Sequence, residues 1–439
     1  MKYTVAETFV GAGGSHLGFK WNGFISKYVN DFNSDAMETL LVNNPEIKDT
    51  AWVDVSSIVD RKPTDILKKT KMKKGELDVL FGGIVCKGFS LAGERSPNDE
   101  RNYFYRKQLE LVKGLKPKIS IIENVPGIQN AKVLSSRTPK ELADRVDTIW
   151  QSLEDYKGQK ANLRKQNKIT KKFEEKGIIL RKQKDSILKE LTEKGFLKNV
   201  MEDIFDKYES LGYVVEKRII NSACFGAATR RERVIIVAVR EDINVDFIFP
   251  QATHGDEEFK KKYEYLYKGK KKICPLSTVN DALKKIDYSN KDDLDNKPMN
   301  HSEKTVERFK YIPEGDNIAN HMDELPEELR ISRFYSRGNT MRLDGNKPSP
   351  TLVPGHSNFP VHPKQHRSIT VREAACITGF PDKYKFIGSH TKRCEEVGNA
   401  VPPALSNAIA KQAKKLLDKY YSKTKIKEKK HEKNNTKSR

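Results

Sequence analysis

The chain has 439 residues, 82 Lys and Arg against 60 Asp and Glu, a formal net charge of +22, and 36% apolar content. That length can hold two or three domains with buried cores, while an apolar fraction below the usual ~45–50% requires extensive solvated surface or tail. No apolar run approaches the roughly 18 residues of a membrane-spanning helix, and Met1–Glu7 lacks the layout of a secretory leader.

Tyr3–Phe9 reads as a strand, followed by a Gly-rich turn and a helix around Ser15–Trp21. A second strand fits Lys27–Val29 and a helix follows through Asp35–Val42. Leu77–Phe81 and Ile119–Ile122 are short β-rich runs, with helical spacing over Asn102–Gly114 between them. This alternation predicts an α/β fold with a mostly parallel sheet covered on both faces. Residues 157–200 carry 14 Lys and Arg against five Asp and Glu, with apolar residues at helical spacing, and read as an inserted basic helical hairpin. A solvated face or an auxiliary contact to nucleic-acid backbone would each account for it. Sheet-like sequence returns at Tyr213–Val215, Arg218–Ile220 and Val234–Val239. Residues 241–366 are polar, irregular and rich in Pro, Asn, Gly and His, as in a smaller second domain with long loops. An apolar helix, Pro403–Leu417, then leads to a basic tail, 422–439, expected to be disordered because it has little to bury. The expected organisation is therefore 1–240 with the 157–200 insert, 241–368, a returning segment 369–421, and the tail.

Five cysteines, at 86, 224, 274, 376 and 394, form no Cys-x-x-Cys pair. A disulfide framework, a four-cysteine zinc site or any other metal centre is not expected, and a reducing cytoplasm is. The charge excess suits a polyanionic partner, most simply nucleic acid, although a basic tail would also produce it.

Phe9-Val10-Gly11-Ala12-Gly13-Gly14 follows the first strand and opens a helix, so the backbone can turn tightly and approach a ligand closely. Asp31, about 20 residues on at the end of the second strand, is placed to accept from both hydroxyls of a ribose. Phe32 beside it can stack on an adenine, and Asp54 could accept from the adenine amino group. A nicotinamide dinucleotide fits the same frame. However, the glycines fall at 11, 13, 14 and 18 rather than in Gly-x-Gly-x-x-Gly, which favours a single-nucleoside ligand such as S-adenosylmethionine, with no pyrophosphate to cradle.

Asp78–Ser90 is a buried-type strand ending in Gly82, Gly83 and then Cys86. A lone cysteine is commonly a small core residue. At the carboxyl end of a parallel strand, flanked by Lys87 and Gly88, it instead suits an accessible thiolate. Glu123 ends another buried strand, where a partly desolvated carboxyl could donate a proton or simply satisfy a turn. Arg231 and Arg233 share a parity at the start of Val234–Val239 and would present two guanidiniums to one side, fit for a phosphate or a base carbonyl. Arg101 could meet a phosphate.

Taken together these segments resemble the DNA cytosine-5 methyltransferase family, over most of 1–240 and 333–410 and in the family's order. Phe9–Gly14 matches the cofactor turn, and Gly82–Ser90 the Pro-Cys-Gln-x-Phe-Ser nucleophile loop. Glu123-Asn124-Val125 matches Glu-Asn-Val, and Arg231-Glu232-Arg233 the end of Gln-x-Arg-x-Arg. Arg372-Glu373-Ala374-Ala375 with Gly379-Phe380-Pro381, and Gly398-Asn399-Ala400-Val401-Pro402-Pro403, match the last two blocks. The resemblance implies a Rossmann-like S-adenosylmethionine-dependent domain and a target-recognition domain at 241–368. It implies that Cys86 attacks carbon-6 of a flipped cytosine, Glu123 holds and protonates N3, Arg233 contacts O2, and Arg231 and Ser90 hold phosphate or the closed loop. It places Phe9, Gly11, Ala12, Gly13, Gly14, Asp31, Phe32, Asp54, Val55, Phe104, Asn399, Ala400 and Val401 around the cofactor, so the C-terminal helix should fold back on the first domain. Val85, Lys87 and Thr229 depart from the family's Pro, Gln and Gln.

By position, Arg333, Arg337, Arg342, His356 and Asn358 would read bases or touch phosphate, since Arg suits guanine and Asn adenine. Lys347–Leu352 resembles a structural segment of the family. Double-stranded DNA is the implied partner, a restriction endonuclease the implied functional companion, and a monomer the expected state. An RNA cytosine-5 methyltransferase, a non-catalytic DNA-binding relative and a nicotinamide oxidoreductase are the competing readings.

Overall fold

The computed structural model describes residues 2–84, 96–99, 103–166, 168–269, 272–331, 338–355 and 359–437. A seven-stranded sheet organises the chain. In space its order is Trp52–Asp54, Ile25–Asn30, Thr4–Thr8, Val79–Gly83, Ile119–Asn124, Glu232–Arg240 and Tyr213–Asn221. The pairs among the first five strands are parallel. The two central strands Val79–Gly83 and Ile119–Asn124 are almost wholly buried, as expected where both faces of a parallel sheet are covered. The order reverses at Thr4–Thr8, from which the chain moves outward on one side and later strands add on the other. At such a switch point the carboxyl ends of neighbouring strands part to leave a crevice.

Helix Ser34–Asn43 starts where the sequence supplies a cap. Asn33 accepts from the amides of Asp35 and Ala36 and begins Ser34–Asn43. Helix Gly14–Trp21 instead begins after Gly13 in left-handed backbone (φ 90°), a conformation that glycine adopts without strain. The C-terminal helix, Pro403–Lys437, packs against Gly14–Trp21 as the sequence implied. The Ser406 hydroxyl donates to the Gly14 carbonyl (3.0 Å), and the Asn22 amide to the Asn407 side chain (2.8 Å). A Cβ at Gly18 would lie 2.3 Å from the Asn407 nitrogen, so the two helices touch through their backbones.

Two compact units divide the chain differently from the boundaries expected above. The first comprises 1–83, 114–123 and 216–439, and the second 84–113 and 124–215. Residues 241–368 thus group with the sheet and do not stand apart. The reason is packing: Phe247, Ala252, Phe259, Tyr263 and Leu266 join Ile235, Val237 and the apolar face of the C-terminal helix in one core. The C-terminal helix continues to Lys437. Tyr421 anchors it, stacking on Tyr3 and donating to Asp78 (2.7 Å), and the Lys- and Glu-rich sequence beyond has good helix propensity.

In the second unit, the expected hairpin is present with earlier bounds, as helices Lys140–Lys165 and Lys171–Glu193. Leu142, Val146, Trp150, Ile187 and Leu191 form its core, and Tyr156 stacks on Phe173 further out. Helix Phe104–Leu115 carries Tyr105, whose hydroxyl donates to Asp203 (2.6 Å) of helix Val200–Ser210. Among the described residues no helix is long and apolar enough to cross a membrane.

Candidate active site

The loop after the first strand is built from backbone strain and close packing. Phe9 and Gly11 both adopt left-handed φ, 54° and 53°. Such backbone costs a non-glycine residue roughly 1–2 kcal/mol, so the surroundings must hold it. They do so from three directions. The Gly11 amide donates to Asp31 Oδ2 (2.8 Å), while Asn33 donates to Oδ1 (2.9 Å). The Tyr384 hydroxyl donates to the Ala12 carbonyl (2.7 Å). Gly13 and Gly14 leave no room for a side chain: a Cβ would lie 2.7 Å from Leu40 and Tyr384 at Gly13, and 2.2 Å from the Val401 carbonyl oxygen at Gly14. At Gly11, by contrast, a Cβ would enter open space.

Phe32 is 70% exposed beside that open side, an aromatic face free to stack. Burial raises the pKa of Asp31, opposed by the backbone amides of Asn33, Gly11 and Phe32. A carboxylate has about four lone-pair sites, so beyond these amides Asp31 can still accept from a ribose hydroxyl. Asp54 is held firmly by its neighbours. Its carboxylate is buried and already accepts from Tyr28 (2.8 Å), Arg61 (2.8 Å) and Ser56 (2.7 Å), making it a brace between strands and the following loop. Its neighbour Val55 is half-exposed.

Behind the loop lies a polar cluster that the motifs did not reveal. Glu7, in the middle of an apolar strand and fully buried, accepts from Ser15 (3.0 Å) and pairs with His16 Nδ1 (2.8 Å). The signal was present, since a lone acid in an apolar run must find donors. Tyr384 had no comparable signal.

Glu123 and Arg233 meet one sheet position away. Gly83 and Glu123 are register partners at the carboxyl ends of their strands. Arg233 Nε lies 2.6 Å from Glu123 Oε1, with the two side chains 9% and 8% exposed. Arg233 also donates to the Glu232 carbonyl (2.6 Å). A Cβ at Gly83 would stand 3.4 Å from the Phe9 carbonyl and 3.9 Å from Glu123 Oε2, so the glycine loop and the acid approach one spot. A charge-assisted pair this short and buried fixes the direction of both groups.

Arg231 does something else. Its guanidinium donates to the carbonyls of Leu352 and Asn399 (both 3.3 Å), tying two distant segments together. The adjoining Thr229–Arg230 pairs in parallel with Ser349–Pro350, so Lys347–Leu352 is a structural segment. Ala400 is buried, Val401 touches the Gly14 position through its carbonyl, and Asn399 offers its own carbonyl to Arg231. Phe104 begins its helix in the second unit.

Arg342 is the clearest correction. It is 4% exposed and donates to the carbonyls of Ile312 (2.6 Å), Phe309 (2.6 Å), His362 (2.7 Å) and Gln365 (2.8 Å). Nothing of it remains to face DNA. The irregular chain around it leaves carbonyls without ladder partners, and a buried guanidinium supplies five donors. Cys86, Ser90, Arg101, Arg333, Arg337, His356 and Asn358, with Val85 and Lys87, lie outside the described residues.

Comparison with known proteins agrees with this arrangement. A family model described as C-5 cytosine-specific DNA methylase matches residues 3–149 and 178–415, leaving 150–177 outside. The type II methyltransferase M.Eco47II of Escherichia coli is 28% identical over 428 residues, covering 95% of this chain and 80% of that protein. M.NgoFVII of Neisseria gonorrhoeae is 26% identical over 433 residues, covering 98% and 91%. Among solved structures, a DNA modification methyltransferase encoded within an E. coli prophage superposes with a TM-score of 0.61 at 20% identity, over 95% of this chain and 100% of that one. At that identity the likeness speaks for the fold.

Proposed function

Since the chain belongs to the C-5 cytosine-specific DNA methylase family, we propose that it methylates a cytosine within a specific duplex sequence, as part of a restriction–modification pair or alone. The observation that carries the mechanism is the buried Arg233–Glu123 pair at the carboxyl edge of the sheet, opposite Gly83. Cys86 follows Gly83 by three chain steps, so its Cα can lie no more than about 11 Å from the Gly83 Cα.

S-adenosylmethionine fits the loop Phe9–Gly14: Asp31 would hold its ribose, Phe32 would cover its adenine, and when bound it supplies an electrophilic methyl group. The rest is done by this chain's residues on the base. A cytosine in a helix shows neither face of carbon-6, so the base must leave the stack at a cost of a few kcal/mol. Arg233 would donate to O2, and Glu123 would meet N3. The Cys86 thiolate then bonds to carbon-6, the carbon-5–carbon-6 electron pair shifts onto carbon-5, and N3 takes a proton from the Glu123 carboxyl. Carbon-5, nucleophilic only in this adduct, accepts the methyl group. Loss of the carbon-5 proton to a base then reforms the double bond and expels the thiolate, and N3 returns its proton to Glu123. Arg231 belongs to the scaffold, holding the Asn399 carbonyl and with it the C-terminal block beside the loop. Ser90, Arg101 and Arg337 remain proposed DNA contacts, double-stranded DNA the proposed partner, and a monomer in the cytoplasm the proposed state.

Bisulfite sequencing of plasmid DNA from cells expressing the protein tests this reading and reveals the target. The expected result is full protection of one cytosine in one sequence context. Unprotected plasmid alongside methylated transfer RNA would replace DNA with RNA as substrate.

A further inference from the structure

The hairpin of helices Lys140–Lys165 and Lys171–Glu193 ends in a concentration of charge that its own stability does not require. Residues 157–184 hold eleven Lys and Arg against two Glu, nine of the chain's 22 net positive charges. One of those acids, Glu174, is already taken by Lys160 (2.8 Å). Lys171, Lys172, Lys176, Arg181 and Lys182 are exposed, and among the described residues none of them forms an ion pair. Lys171 and Lys172 open their helix, where the unpaired backbone amides already make a positive end and an acid would be favoured. These cations therefore work against the helix they sit on. The hairpin is held instead by its apolar seam and by the Tyr156–Phe173 stack, with ring centroids 4.6 Å apart. Much of this tip, 150–177, lies outside the family match.

We propose that the hairpin tip is an auxiliary grip on the sugar–phosphate backbone of duplex DNA, adding affinity without reading sequence. The inference rests on the DNA methyltransferase reading above. From Lys171 to Lys182 the helix advances about 16 Å, and DNA rises about 3.4 Å per base pair, so the lysines span roughly five steps of a strand. Lysine is a flexible point charge suited to phosphate, whereas base edges are read by forked or amide side chains. The tip's two aromatic rings are stacked on each other, leaving no exposed platform there for unpaired bases. Ile178 and Ile179 are exposed but too few to embed in a lipid surface.

The test compares the full-length protein with a variant carrying Lys171→Gln, Lys172→Gln, Lys176→Gln and Lys182→Gln, which leaves the hairpin seam intact. Affinity for a duplex lacking any methylation target is measured by fluorescence anisotropy between about 50 and 200 mM salt. Loss of up to four phosphate contacts should flatten the slope of log affinity against log salt by up to about 3.6 and weaken binding about ten-fold or more at about 150 mM. The corresponding Lys→Arg variant should keep the wild-type slope. A helical Gln variant with an unchanged slope would overturn the proposal, as would an equal loss of binding to phosphatidylserine vesicles with duplex binding intact. A wild-type protein that neither binds nor methylates duplex DNA would instead overturn the underlying reading.

Discussion

The loop Phe9–Gly14 and the stretch 241–368 hold unusual backbone in place by opposite means. In the loop, shape comes from the absence of side chains: Gly13 and Gly14 let Leu40, Tyr384 and the Val401 carbonyl close in to distances no Cβ tolerates. In 241–368, shape comes from large side chains turned inward. Arg342, buried, satisfies four carbonyls, and the half-buried Arg308 donates to the Leu329 carbonyl (2.8 Å). Regular strands pair their own polar groups, but irregular chain must borrow donors, and a buried guanidinium provides several at once. An arginine in such a region is thus as much a substitute for a sheet as a hand held out to DNA.

Substitutions can break this contrast. The largest effect is expected at Gly14→Ala, whose Cβ would meet the Val401 carbonyl oxygen at 2.2 Å. Displacing that backbone by an ångström should lower methyl transfer about 100-fold or more, and unchanged turnover in a filter assay would show the packing to be soft. Next is Arg342→Met, which keeps bulk but strips the donors from four carbonyls. It should destabilise the protein by about 3–5 kcal/mol in urea titration. A variant of wild-type stability that lost sequence specificity would return Arg342 to base reading.

A smaller and pH-dependent effect is expected at Glu396, which anchors the C-terminal block by accepting from Thr39 (2.8 Å). Burial pushes its pKa up from 4.5 to about 8, with Asp35 and Asp295 adding and Thr39 and Arg393 opposing. The folded state therefore keeps a proton that the unfolded chain releases, so stability falls as pH rises from about 4.5 to about 8 and then levels. Glu396→Gln should be increasingly stabilised relative to the wild type across that window, by an amount on the order of a few kcal/mol. Denaturation midpoints that differ equally at every pH would contradict it. The smallest effect is expected at Gly11→Ala. A Cβ there meets nothing, so only the left-handed φ matters, at roughly 1 kcal/mol by thermal unfolding. A loss as large as that of Gly14→Ala would erase the distinction between the two glycines.

The same contrast explains what the sequence disclosed. The strand–turn–helix start, Asp31 and the positions of Glu123 and Arg233 were legible because they depend on local spacing and on strand ends. The return of the C-terminal helix was legible only through the family resemblance. The contacts of Asp54, Arg231 and Arg342 were not legible. Their partners lie up to 168 residues away along the chain, as with Arg231 and Asn399, and a guanidinium is equally suited to a carbonyl, a phosphate or a base. The unit boundaries were missed for a similar reason: Phe247, Phe259 and Tyr263 are sparse in a polar stretch, yet they complete the main core.

The central proposal is covalent addition of Cys86 to carbon-6 of an extruded cytosine. Duplex DNA with 5-fluorocytosine at the mapped target tests it directly, because fluorine at carbon-5 blocks the final elimination. Incubated with S-adenosylmethionine, the wild-type protein should yield a denaturation-resistant adduct whose linked peptide contains Cys86, and Cys86→Ser should yield none. Methyl transfer to ordinary DNA with no adduct on the fluorinated duplex, or an adduct that survives Cys86→Ser, would contradict the mechanism.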